Sequence, residues 1–75
     1  MEIKKEKEFE LYGIKYIARI LANNHGEIVY KENKTRPKNM KDIIRQYMKK
    51  YNVEISTDAN KISTHGAVRK LFEYI

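Results

Sequence analysis

The sequence predicts a small single-domain α+β protein. An N-terminal three-stranded antiparallel meander packs on an amphipathic helix, followed by a short strand or hairpin and a C-terminal helix, in the order β-β-β-α-β-(β)-α. Three observations carry this. Apolar and polar residues alternate through the N-terminal part, apolar residues recur at helical spacing after Asn39, and turn residues separate the runs. A chain of 75 residues builds one modest core, so 1–75 is read as one domain.

Residues 1–8 are a charged lead-in of alternating signs, of which 1–6 are expected to be solvated and frayed. Phe9 and Leu11 then alternate with Glu8, Glu10 and Tyr12, the period of a half-buried strand over 7–12. From Ile14 two periods compete. Ile14, Tyr16, Ala18 and Ile20 fit one face of a strand over 14–22, whereas Ile14, Ile17, Ala18 and Leu21 fit one stripe of a helix over 13–23. The β-branched isoleucines and the preceding Gly13 favour the strand. Asn23-Asn24-His25-Gly26 has turn chemistry, and Glu27-Ile28-Val29-Tyr30 begins a third strand over 27–32.

Asn33 to Lys38 is a connector, in which Pro37 keeps its predecessor out of the helical region. Asn39 is placed to cap the next helix, with Asp42 near the position of a capping-box acid. That helix, about 40–51, is the clearest element. Met40, Ile43, Ile44, Tyr47, Met48 and Tyr51 form a continuous apolar stripe, while Lys41, Arg45, Lys49 and Lys50 lie off it. Asn52 suits the turn that ends it. Val53 and Ile55 alternate with Glu54 and Ser56 as a short strand, Asp58-Ala59-Asn60 is a turn, and Lys61-Ile62 is a candidate hairpin return. Ser63 or Thr64 caps a last helix whose stripe is Ala67, Val68, Leu71, Phe72 and Ile75.

Composition excludes several chemistries. Without cysteine there is neither a disulfide nor a thiolate metal site. His25 and His65 are too few to hold zinc without carboxylates, and their pairings with Glu27 or Asp58 supply two ligands at most, so no metal site is expected. His25 reads as a turn residue. His65 reads as an exposed residue at a helix start, against the alternative of an anion held by free N–H groups. No nucleophile–base pair, raised carboxylate pair or glycine-rich phosphate loop is legible, so no catalytic residue, cofactor or enzymatic activity is expected. No apolar run reaches half of the ~20 residues a membrane span needs. The start Met1-Glu2-Ile3-Lys4-Lys5-Glu6 has no apolar signal region, so a cytoplasmic protein without membrane contact is expected.

Charge gives the strongest functional signal. The net charge is +6, and Lys31 to Lys50 alone holds eight basic residues against Glu32 and Asp42. Such clustering is the electrostatic footprint of a nucleic-acid binder. AT-rich codons, which favour the Lys, Ile, Asn and Tyr abundant here, explain a lysine excess but not its clustering. Lys34, Arg36 and Lys38 on the connector and Lys41, Arg45 and Lys49 along one helix face are therefore the candidate phosphate contacts, to DNA or RNA. Tyr16 and Tyr30, on strands beside the basic run, are candidates for base stacking or a protein interface. The expected function is a small basic nucleic-acid-binding or regulatory protein. The second reading is a non-enzymatic interaction module, an inhibitor or accessory subunit docking on a larger protein, or on a second copy as a homodimer, through a tyrosine-rich sheet face or the C-terminal helix.

Overall fold

The computed structural model describes residues 2–56, 58 and 61–75. Its sheet is built by β1 (Ile3–Leu11), β2 (Ile14–Leu21) and β3 (Gly26–Tyr30), an antiparallel meander in the order β1-β2-β3. Tyr12 and Gly13 both have positive φ, 51° and 79°, and join Leu11 to Ile14 across a two-residue hairpin loop. That turn commits 14–21 to the strand period and removes the helical alternative for 13–23. β1 starts earlier than the sequence reading placed it. Residues of the expected lead-in pair with β2, Ile3 opposite Leu21 and Glu6 opposite Arg19, and the Glu6–Arg19 ion pair at 3.2 Å supports that extension. β3 stops at Tyr30 because Lys34 turns through φ 60°, and its N–H reaches the Tyr30 carbonyl at 2.8 Å.

Helix α1 (Met40–Met48) continues as one 3₁₀ turn over Lys49–Tyr51, and α2 (Thr64–Leu71) follows. Both helices lie on the sheet face that carries Phe9, Tyr16, Ala18, Ile20 and Ile28. Ile43, Ile44, Tyr47 and Met48 from α1 and Ala67, Val68 and Leu71 from α2 complete the core. The opposite face is charged: Arg19 bridges Glu6 and Glu27, and Lys31 pairs with Glu8 at 2.9 Å. Ile17 and Val29 oppose each other on that face and are buried.

The two sheet edges differ. Hairpin geometry directs the N–H groups of Gly26, Ile28 and Tyr30 away from β2. They donate instead to His65 Nδ1 at 3.0 Å, Met40 Sδ at 3.4 Å and the Thr35 carbonyl at 2.9 Å. The β3 edge is thus sealed by α2, α1 and the connector.

Several local expectations change. Asn39 precedes α1 but its side chain makes no capping bond; with ψ at 47° it lacks the extended backbone a capping side chain requires, and only its carbonyl joins the helix, accepting from Ile43 N–H at 3.1 Å. Ser63, extended at ψ 165°, does cap α2, its Oγ accepting from Gly66 N–H at 3.1 Å. Asn52 ends the 3₁₀ turn in the left-handed conformation, φ 57°. Val53 to Ser56 are not a strand. The β3 edge that would have paired them is already occupied, and the segment instead inserts Ile55 into the core. The expected turn at Asp58-Ala59-Asn60 lies partly outside the described residues; Asp58 accepts at its carbonyl from Lys61 and Ile62. Ile62 enters no strand and packs against the core.

Candidate nucleic-acid interface

The connector and α1 orient the candidate cations for a simple reason. Burial of the α1 stripe forces the remaining helix positions outward, and the sharp exit from β3 throws the connector onto the surface. Lys34, Arg36, Lys38 and Lys49 are exposed, while Lys41 and Arg45 are half-buried. Lys38 and Lys41 line one recess of about 400 Å³ with Asn39, Met40, Asp42 and Thr64. Lys49 sits at the other end of the helix with Lys50, beside Tyr12 and Gln46. Lys34 folds back so that its Nζ donates to the Lys31 carbonyl at 3.1 Å. The six are therefore spread over the connector and the length of α1 rather than gathered in one pocket.

Neutralisation is uneven along this surface. Arg45 is held by Asp42, one turn back, at 3.4 Å. Among the described residues, Lys34, Arg36, Lys38, Lys41 and Lys49 enter no ion pair. Pro37 between Arg36 and Lys38 is buried, which pins the connector while its neighbours point to solvent.

The tyrosines take a different place from the one expected. Tyr16 is 4% exposed, stacked between Phe9 at 5.3 Å and Tyr30 at 5.4 Å, so it has no ring face to offer a base or a partner. Burial, and then the neighbouring Tyr30, push its phenol above the ordinary value. Tyr47 is raised by burial and by its hydrogen bond and charge interaction with Tyr51. Tyr30 is half-buried and reaches a shallow recess of about 670 Å³ shared with Gly13, Ile14 and Asn33.

Two features were not legible in the sequence. His65 is not an exposed residue at the helix start: its Nδ1 takes the Gly26 N–H, and its ring stacks on His25 with centroids 4.2 Å apart. Lys50 places Nζ 4.0 Å from the Tyr47 ring centroid, a cation–π contact that helps shield that side of α1. The first joins residues 39 positions apart, and no local pattern announces it.

Fold and surface together define a small α+β domain whose two helices cover one face of a three-stranded meander and whose connector and first helix carry unneutralised cations. Comparison with known protein families, with curated proteins and with solved structures finds no match. No helix among the described residues is long and apolar enough to cross a membrane.

Proposed function

We propose that this is a small basic nucleic-acid-binding protein that regulates by occupying nucleic acid rather than transforming it, working in the cytoplasm without a catalytic step. Lys34, Arg36, Lys38, Lys41, Arg45 and Lys49 contact the phosphate backbone. The observation that supports this reading is the concentration of unpaired cations on one stretch. Residues 31–50 hold eight basic residues against Glu32 and Asp42, and five of the six candidate residues enter no ion pair among the described residues. Like charges ranged along one surface without counter-ions repel one another, and a polyanion relieves that repulsion. The burial of Tyr16 favours a duplex held by its backbone over a single strand held by stacking.

A mobility-shift titration on a short duplex at low salt tests this. Arg36→Ala should weaken binding several-fold with unchanged thermal stability, because Arg36 is exposed. Arg36→Lys should recover the charge-dependent part, since lysine supplies a cation without the guanidinium fork. No complex at low ionic strength would sink the reading.

One observation favours the second reading, an interaction module. Tyr12 and Ile14 flank the hairpin tip at 80% and 46% exposure, next to the 670 Å³ recess. A protein partner would dock there rather than on the tyrosine face covered by α1. In that case Ile14→Ser would abolish partner capture and Arg36→Ala would not.

A further inference from the structure

We infer that a second, separate recess, at the end of the sheet far from the hairpin tip, is a binding site for a terminal phosphoryl group. It has a volume of about 220 Å³ and is lined by Lys4, Lys5, Ile20, Asn24, Arg69 and Phe72. Three cations and no carboxylate line it.

A defect in β1 creates the site. Consecutive residues of a regular strand point to opposite faces, so Lys4 and Lys5 should diverge. Between Ile3 and Lys5, however, the pairing slips: Ile3 opposes Leu21 and Lys5 opposes Ile20, leaving Lys4 as the extra residue of a bulge. Bulges re-aim side chains, and here two lysines adjacent in sequence come to line the same recess. The third cation arrives from α2, where Arg69 stands on the exposed side one helical turn after His65.

Asn24 organises these cations without neutralising them. It occupies the β2–β3 turn with φ at 66°, a left-handed conformation that asparagine tolerates. Its carbonyl accepts from Arg69 Nη1 at 2.7 Å, and its side-chain Oδ1 lies 3.5 Å from Lys4 Nζ. Both acceptors are neutral oxygens, so the positive charge is oriented but not cancelled. Each cation also retains donors, since a guanidinium has five N–H groups and an ammonium three. Among the described residues, Lys4, Lys5 and Arg69 form no ion pair. Ile20 and Phe72 supply an apolar wall, and charge interactions beside such a wall are less screened than in open water. A phosphoryl group matches this set in charge and in acceptor number. Such a group is carried by a free nucleotide or by the 5′ end of a nucleic-acid strand, and the site does not depend on the connector and α1 cations.

The test titrates the full chain with AMP, adenosine, and short oligonucleotides bearing a 5′-phosphate or a 5′-hydroxyl, following backbone amide shifts. AMP binding at least about tenfold tighter than adenosine, with shifts centred on Lys4, Lys5, Asn24 and Arg69, supports the site and identifies a free nucleotide as sufficient. A tenfold preference for the 5′-phosphorylated oligonucleotide at the same residues supports it with a strand end as the source. Lys4→Gln/Lys5→Gln should remove the preference, and this surface variant should melt as the parent does. Arg36→Ala/Lys38→Ala should leave it intact, which separates this site from the duplex surface. Equal binding with and without phosphate, or shifts confined to residues 31–50, would overturn the proposal.

Discussion

At the scale of single residues, Gly26 has the least room of the three glycines, at the point where β3 meets α2. A Cβ there would stand 2.6 Å from Val68 Cβ and 3.1 Å from the His65 carbonyl oxygen. Neither is the free end of a flexible chain, so the helix itself would have to move. Gly26→Ala should therefore cost about 1–3 kcal/mol, the range for overpacking, read as a lower urea midpoint. Adding Val68→Ala should not rescue it, because alanine keeps the Cβ that clashes. Tyr16 and Tyr47 give a second residue-scale expectation. Burial leads the causes that raise both phenols above the ordinary value, so above about pH 10 the unfolded chain releases these protons more readily than the folded one. Their contribution is fully present below that pH and is lost as pH rises through the folded-state values. Urea midpoints should fall as pH rises above about 10, and those of Tyr16→Phe/Tyr47→Phe should fall less steeply over the same range.

At the scale of elements, legibility followed whether an element's partners are local. α1 was readable because its apolar stripe depends on helical spacing alone, and Ile43, Ile44, Tyr47 and Met48 are buried as that stripe requires. Ile44→Ala should cost ~2–5 kcal/mol in denaturant unfolding, as for other buried isoleucines. Lys49→Ala should cost under ~0.5 kcal/mol, since the residue is exposed. Equal midpoints for the two would contradict the orientation of α1. The β1–β2–β3 meander was readable from alternation and from Asn, Gly and His turn residues. Val53 to Ser56 misled because alternation reports which residues are buried but not whether a strand edge is free. The edge of β3 is occupied by Met40, Thr35 and His65, contacts that no stretch of sequence reveals. The early start of β1 was hidden for a related reason. Its exposed Lys and Glu residues resemble a solvated tail until Arg19 is placed opposite Glu6.

At the scale of the whole molecule, the clustering of the +6 charge was visible in the sequence, while its degree of neutralisation was not. Pairing depends on which acid reaches which base, and on the candidate surface Asp42 reaches only Arg45 among the described residues. Asp42 also lies in the first turn of α1, where a carboxylate favours the helix by about 0.3–1 kcal/mol through the backbone dipole. Stability and phosphate binding therefore make opposite demands on this position. Asp42→Asn should slightly lower the melting temperature while removing one negative charge and releasing Arg45. If a duplex lies along the connector and α1, this variant should bind more tightly than the parent. The slope of log K against log salt should also steepen by up to about 0.9, because Asp42 no longer offsets the charge of the Arg45 contact. Arg45→Ala in the Asp42→Asn background should return the slope to that of the parent, since the released guanidinium is then absent. An interaction module docking at Tyr12 and Ile14 predicts no change in slope from either substitution. Salt-dependent mobility shifts on these variants thus test whether the unpaired cations are a nucleic-acid surface or simply the solvated side of a small basic domain.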